Sequence, residues 1–193
     1  MDETTFWDLL ERSRAATEDQ DDRLEWLTAE LTERPPHDIA DFQVLLDHIR
    51  GRADTWDHWG AAHLICGGSS DDGFFYFLAW LVGLGRDSFT RIAEDPDELA
   101  TIPLVQELAG VDVDDWGPDD WPGWEALDYV AREAYRRLTG ESDGLDAALT
   151  VRGHEPMVTP DPEGIAWEFD VKAELIGRLP RLSALFSERV AHG

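Results

Sequence analysis

The chain has 193 residues, of which 42 are acidic and 16 basic, giving a formal charge of -26 near neutral pH. That length accommodates one domain with a substantial core, and nine Trp, eight Phe and three Tyr fill it, which argues against a disordered chain. The negative field repels nucleic acid and anionic lipid, no apolar run reaches the ~18 residues of a membrane span, and the single Cys66 closes no internal disulfide.

Along the chain, Met1-Asp2-Glu3 lacks the basic and apolar stretches of a signal peptide, so a cytoplasmic location is expected. Phe6, Leu9 and Leu10, and then Leu24, Leu27 and Leu31, recur at helical intervals, predicting two amphipathic helices joined through the acidic link Glu18 to Asp22. Pro35-Pro36 ends the second. A third starts near His37, carries Ile39, Phe42, Leu45, Leu46 and Ile49 on one face, and meets a terminator at Gly51. The fourth, capped by Asp54 or Thr55, runs through "WDHWGAAHLIC" to Gly67-Gly68, with Trp56, Trp59, His63 and Cys66 on its apolar side.

Next comes "GGSSDDGFFYFLAWLVGLGR". Ser70 is placed to cap a helix, and Asp71 and Asp72 fall in its first turn, where carboxylates meet unpaired N–H groups and the positive end of the helix dipole. The uncharged run 74–83 is then a helix of ~3 turns, apolar all round and therefore buried at the centre of the fold. In "EDPDELA", Asp95 caps a short helix with Pro96 at its first position. "VDVDDWGPDDWPGW" reads as a loop pinned by Trp116, Trp121 and Trp124, leading into a helix with Leu127, Val130, Ala131, Ala134, Tyr135 and Leu138 in one stripe and Gly140 at its end. Residues 141–164 are loop-rich, with Pro156, Pro160 and Pro162, and leave room for a short hairpin between 150–151 and 165–169. A last helix, 171–190, is broken or kinked at Pro180. The predicted fold is all-α: one domain, a multi-helix bundle around a buried helix at about 74–83, divided into a helical core (1–140), a loop-rich connection (141–170) and a C-terminal helix (171–190).

"WGAAHLICGGSSDDGFFYFLAWLVGLGR", followed by "DPDELA" and accompanied by the "FWDLLE" opening and the late "LPRL", resembles an uncharacterised bacterial domain family common in actinobacteria. The likeness extends over roughly residues 3–185, with its specific motifs between Trp56 and Ala100. It implies no activity, substrate or cofactor.

Residues able to carry chemistry are few. Asp71 and Asp72 project about 100° apart on a helix, so capping accounts for both, with a working acid or metal ligand as the alternative. His58 and His63 stand five residues apart, about 140° round the helix, which is wrong for a paired metal motif. His63 is expected in the interior with a hydrogen bond, and His58 has Asp54 one turn before it, an acidic neighbour that raises the pKa of an exposed imidazole. The acidic loop fits a calcium template at Asp112, Asp114 and Gly117 but fails at Trp116 and Gly123. No nucleophile elbow or phosphate loop occurs, Cys66 is a lone, inert thiol on the apolar face, and Arg132, Arg136 and Arg137 balance nearby carboxylates.

The candidate binding residues are thus Trp56, His58, His63, Asp71, Asp72 and Arg86, with no metal site and no cofactor. Two functions compete. One is a cytoplasmic acidic helical module, binding or regulatory, that neutralises a basic protein. The other is a metal-dependent or hydrolytic enzyme working between helix 56–66 and the Asp71/Asp72 helix start. A homodimer formed through surplus tryptophans is a further expectation.

Overall fold

Four helices open the computed structural model, which describes residues 1–192. α1 (Glu3–Ala16) begins where Asp2 accepts from the Thr5 N–H, and α2 (Gln20–Thr32) where Asp19 accepts from the Asp22 N–H. α3 (Pro36–Gly51) uses Pro36 at its first position, and α4 (Trp56–Cys66) starts from the Thr55 hydroxyl and ends at Gly67, whose φ of 69° lies in the left-handed region. Phe6, Leu9 and Leu10 of α1, Leu27 and Leu31 of α2, and Ile39, Phe42, Leu46 and Ile49 of α3 are fully buried in one cluster.

α5 (Asp71–Gly83) begins where the Ser70 hydroxyl accepts from the Gly73 N–H at 3.1 Å. Every residue from Phe77 to Gly83 is buried. The helix therefore sits inside the bundle as its apolar circumference dictates. Gly83 is there for space: a Cβ would meet the Trp124 ring at 2.7 Å. α6 (Arg86–Glu94) follows, then a 3-10 helix at Pro96–Thr101 capped by Asp95, and α7 (Pro103–Leu108).

The acidic stretch after α7 holds two short 3-10 turns, Val113–Asp115 and Pro118–Asp120. Its tryptophans do not act alike: Trp124 is buried, whereas Trp121 is 45% exposed with its ring edge-on to Trp116 at 5.0 Å. Trp124 donates its backbone N–H to the Tyr76 carbonyl, so this stretch is tied to α5. A 3-10 turn, Glu125–Tyr129, then runs into α8 (Val130–Thr139), closed by Gly140 at φ 78° and packed on α2 and α3.

One expectation for the C-terminal part is corrected. Thr150 and Val151 end a helix, α9 (Gly144–Val151), rather than pairing with 165–169; Leu145 and Leu149 at i, i+4 are buried in the core, and that burial outweighs the strand preference of two residues. No strand occurs among the described residues. The one extended pairing is an isolated parallel bridge between Thr55 and Glu163, in which Glu163 donates to the Asp54 carbonyl and accepts from the Trp56 N–H. That bridge belongs to a strap, residues 152–171, lying against α3 and α4. Trp167 sits so close to Gly60 that a Cβ there would lie 2.2 Å from its ring, and Phe169 contacts Trp56, Trp59 and His63.

The last helix is interrupted at Pro180 and again near Phe186, giving α10 (Lys172–Arg178), α11 (Pro180–Leu185) and α12 (Ser187–His192). Buried Asp97 caps α11 from a distance, accepting from the N–H groups of Arg181 and Leu182 at 2.9 Å each. Among the described residues no helix is long and apolar enough to cross a membrane.

Candidate functional site

The six residues singled out by the sequence do not converge. His58 is 2% exposed; its Nε2–H donates to the Ile92 carbonyl at 2.8 Å, its Nδ1 accepts from the Thr55 hydroxyl at 2.7 Å, and burial lowers its pKa. His63 is the half-buried one, 3.2 Å from exposed Asp170. His63 is thus less buried than expected and His58 is the interior histidine, because α4 presents His58 toward α6 and His63 toward the strap.

Trp56 stacks on Trp59 at 5.4 Å, and Trp59 on Phe74 at 4.9 Å. This stack occupies the contact between α4 and the start of α5, where a reaction pocket was the rival expectation. Asp71 is exposed. The Arg86 backbone N–H donates to the Glu11 carboxylate at 2.9 Å, on a different face beside Arg52 and Arg91. Among the described residues no three His, Cys, Asp or Glu side chains gather as metal ligands would. Cys66 is buried enough to push its thiol up to about 12.

Trp56 and His58 border a cleft with Glu163 and Arg178, and Asp72 leads to a different feature. This aspartate lines a cavity of about 280 Å³ together with Phe75 and Tyr76 from α5, Gln43 from α3, Asp128 and Tyr129 from the turn into α8, and Arg132 from α8 itself. Leu145 and Leu149 of α9 and Pro156, Met157 and Val158 of the strap close its other side.

Against this cavity lies a cluster of buried charges. Gln43, Asp47 and Arg50 form a polar stripe at i, i+4, i+7 on α3, beside the apolar stripe of Ile39, Phe42, Leu46 and Ile49. The Arg50 side chain is 0% exposed and lies 4.2 Å over the Phe75 ring. Its guanidinium donates to Asp47 Oδ1 at 2.6 Å, forms a close pair with Asp128 Oδ1, and reaches the Met157 carbonyl at 3.4 Å. Asp47 Oδ1 also accepts from Gln43 at 3.0 Å, while its Oδ2 accepts from the His154 ring at 2.8 Å and the Met157 N–H at 3.3 Å. One carboxylate therefore fixes both Arg50 and the strap.

The cluster is not fully satisfied. Arg50 Nε and Asp128 Oδ2 are buried without a hydrogen-bond partner, a condition rare enough in folded proteins to need an explanation. Burial pushes the Asp128 carboxyl up to about 6, against the opposing pull of Arg50. Arg132 adds no free positive charge, being matched by both oxygens of Asp146 at 2.7 and 2.8 Å. The cavity thus presents Asp72 and Asp128, the rings of Tyr76 and Tyr129, and an apolar wall, and it is chemically suited to a cation on an apolar stem.

The sequence carried a signal for this cluster in the 43/47/50 stripe and in Asp128, which interrupts the apolar positions Leu127, Val130 and Ala131. Its closure depends on partners far apart in the chain, Arg50 with Asp128 at a separation of 78 residues and Asp47 with His154 at 107.

Fold and site together define an all-α protein with an acidic, aromatic-walled cavity set over a buried arginine. Residues 1–137 match the family described as "Protein of unknown function (DUF4240)", and the chain belongs to that family. Neither the curated proteins nor the solved structures contain a match to it. The matched span includes α3, α5, Asp128 and Arg132, whereas α9 and the strap, with His154 and Met157, lie beyond it.

Proposed function

We propose that this protein is an acidic helical binding module that takes a guanidinium group of a basic partner into the cavity beside Asp128. The observation that carries the reading is the Asp128 carboxylate, with Oδ2 buried and unpartnered, in a cavity that also holds Asp72 and two tyrosine rings. A planar guanidinium suits these groups because it pairs with carboxylates through two N–H bonds and stacks on aromatic faces, each such stack contributing roughly 0.5–2 kcal/mol according to its desolvation. The volume of about 280 Å³ is near the lower end of ligand pockets, enough for one side chain. The net charge of -26 draws a basic partner in from solution. The setting we assign is the cytoplasm, since one half-buried free thiol needs no oxidising compartment.

Titration calorimetry with N-acetylarginine amide tests the reading. The expected dissociation constant is on the order of 1 mM, equivalent to about -4 kcal/mol. It should weaken at least tenfold in Asp128→Asn, several-fold in the exposed variant Asp72→Asn, and steeply with added salt. Binding that is indifferent to both substitutions and to ionic strength would overturn the proposal.

A further inference from the structure

The cavity has a mouth as well as an interior, and the mouth is apolar. Tyr129 is 56% exposed and Val158 74% exposed, and both line the cavity, one from the turn leading into α8 and the other from the strap. Single exposed hydrophobic residues are ordinary. These two differ in how one of them is held. The strap is pinned on one side of Val158, where the Met157 N–H meets Asp47 Oδ2, and on the other, where the Asp161 N–H meets Asp54 Oδ2 at 2.8 Å. Pro156 and Pro160 further restrict the backbone between those anchors. An exposed valine is thus held at the rim of an acidic cavity at a backbone cost already met in the free protein, which is the condition for a pre-organised contact.

A free cation in the cavity would leave this rim in water. A cation carried on a polypeptide would bring neighbouring side chains against it. Resting on the cavity reading above, we infer that the partner is a polypeptide segment presenting an arginine with apolar neighbours, and that Tyr129 and Val158 receive those neighbours while Asp128 and Asp72 receive the guanidinium. The protein's charge selects a basic segment, and the rim selects among basic segments.

Titration calorimetry at low salt with two probes, acetyl-Gly-Arg-Gly-amide and acetyl-Leu-Arg-Leu-amide, tests the inference on the wild type, Val158→Ser and Tyr129→Ser. The leucine-flanked peptide should bind the wild type about tenfold more tightly, as expected for partial burial of two apolar side chains. Val158→Ser should lose most of that advantage while holding the glycine-flanked peptide as the wild type does, and Tyr129→Ser, whose ring also faces the guanidinium, should lose most of the advantage and weaken both peptides. Equal affinity of the two peptides for the wild type overturns the inference and leaves the cavity reading standing. A leucine advantage that persists unchanged in both variants also overturns it. Failure of every probe to bind removes both proposals together.

Discussion

Two groups of aspartates in this protein behave oppositely. Asp71 and Asp72 stand in the first turn of α5, exposed, where Ser70 closes the cap and the carboxylates complement the helix dipole. Asp47 and Asp128 are drawn into the bundle against Arg50, which has no exposure to solvent. The first group is conspicuous in the sequence and stays at its own helix start, with Asp72 also at the cavity; the second is dispersed among apolar residues and organises three separate parts of the chain. Adjacent acidic residues at a helix start are satisfied locally, whereas an isolated charge on a buried face must find its partner elsewhere in the fold.

The contrast can be broken most sharply at Arg50. Arg50→Met leaves Asp47 and Asp128 buried without their cation, and urea unfolding should register a loss of about 3–5 kcal/mol. Asp71→Asn, by comparison, should stay within about 0.5 kcal/mol of the wild type. Similar losses for the two variants would mean that the buried cluster is no more important to stability than the exposed pair.

Proton linkage should also distinguish the two groups. Burial raises the Asp128 carboxyl from 3.8 to about 6, so the folded protein holds that proton more tightly than the unfolded chain. This group's contribution to stability is therefore full below about 3.8 and is lost as pH rises to about 6. Unfolding profiles of wild type and Asp128→Asn should diverge across that window, and parallel profiles would contradict the assignment. Binding runs the other way, because the cation needs the ionised carboxylate. Affinity for N-acetylarginine amide should rise roughly tenfold between pH 5 and 7 as Asp128 ionises, and a flat titration would exclude it as the anionic partner.

A smaller effect sharpens the architectural role of the α5 start. Ser70→Ala removes the side-chain acceptor for the Gly73 N–H and should cost about 1 kcal/mol in thermal or urea unfolding, with arginine affinity changed less than twofold. A large loss of binding with unchanged stability would instead give Ser70 itself a part in binding beside Asp72.

Much of the architecture was legible before any coordinates, for identifiable reasons. Caps at Ser70, Thr55 and Asp95 and the stops at Gly67 and Gly140 are local chemistry, and α1, α3 and α5 declare themselves through spacing of apolar residues. α9 was obscured because its eight residues precede a proline-rich strap, so composition pointed to loop. Which histidine of α4 is interior was not legible, since both sides of that helix are covered, one by α6 and the other by an aromatic strap from more than 100 residues later. The candidate site was legible only through Asp72. The polar stripe 43/47/50 gives no partner by itself, and the residues that complete it belong to distant segments.

The most direct test is a crystal structure of the protein grown with N-acetylarginine amide. The account predicts the guanidinium inside the cavity, within hydrogen-bond distance of Asp128 Oδ2 and against the ring of Tyr76 or Tyr129. A structure with the probe ordered elsewhere, or with a water bridging Asp128 Oδ2 to Arg50 Nε and the cavity free of probe at saturating concentration, would contradict it.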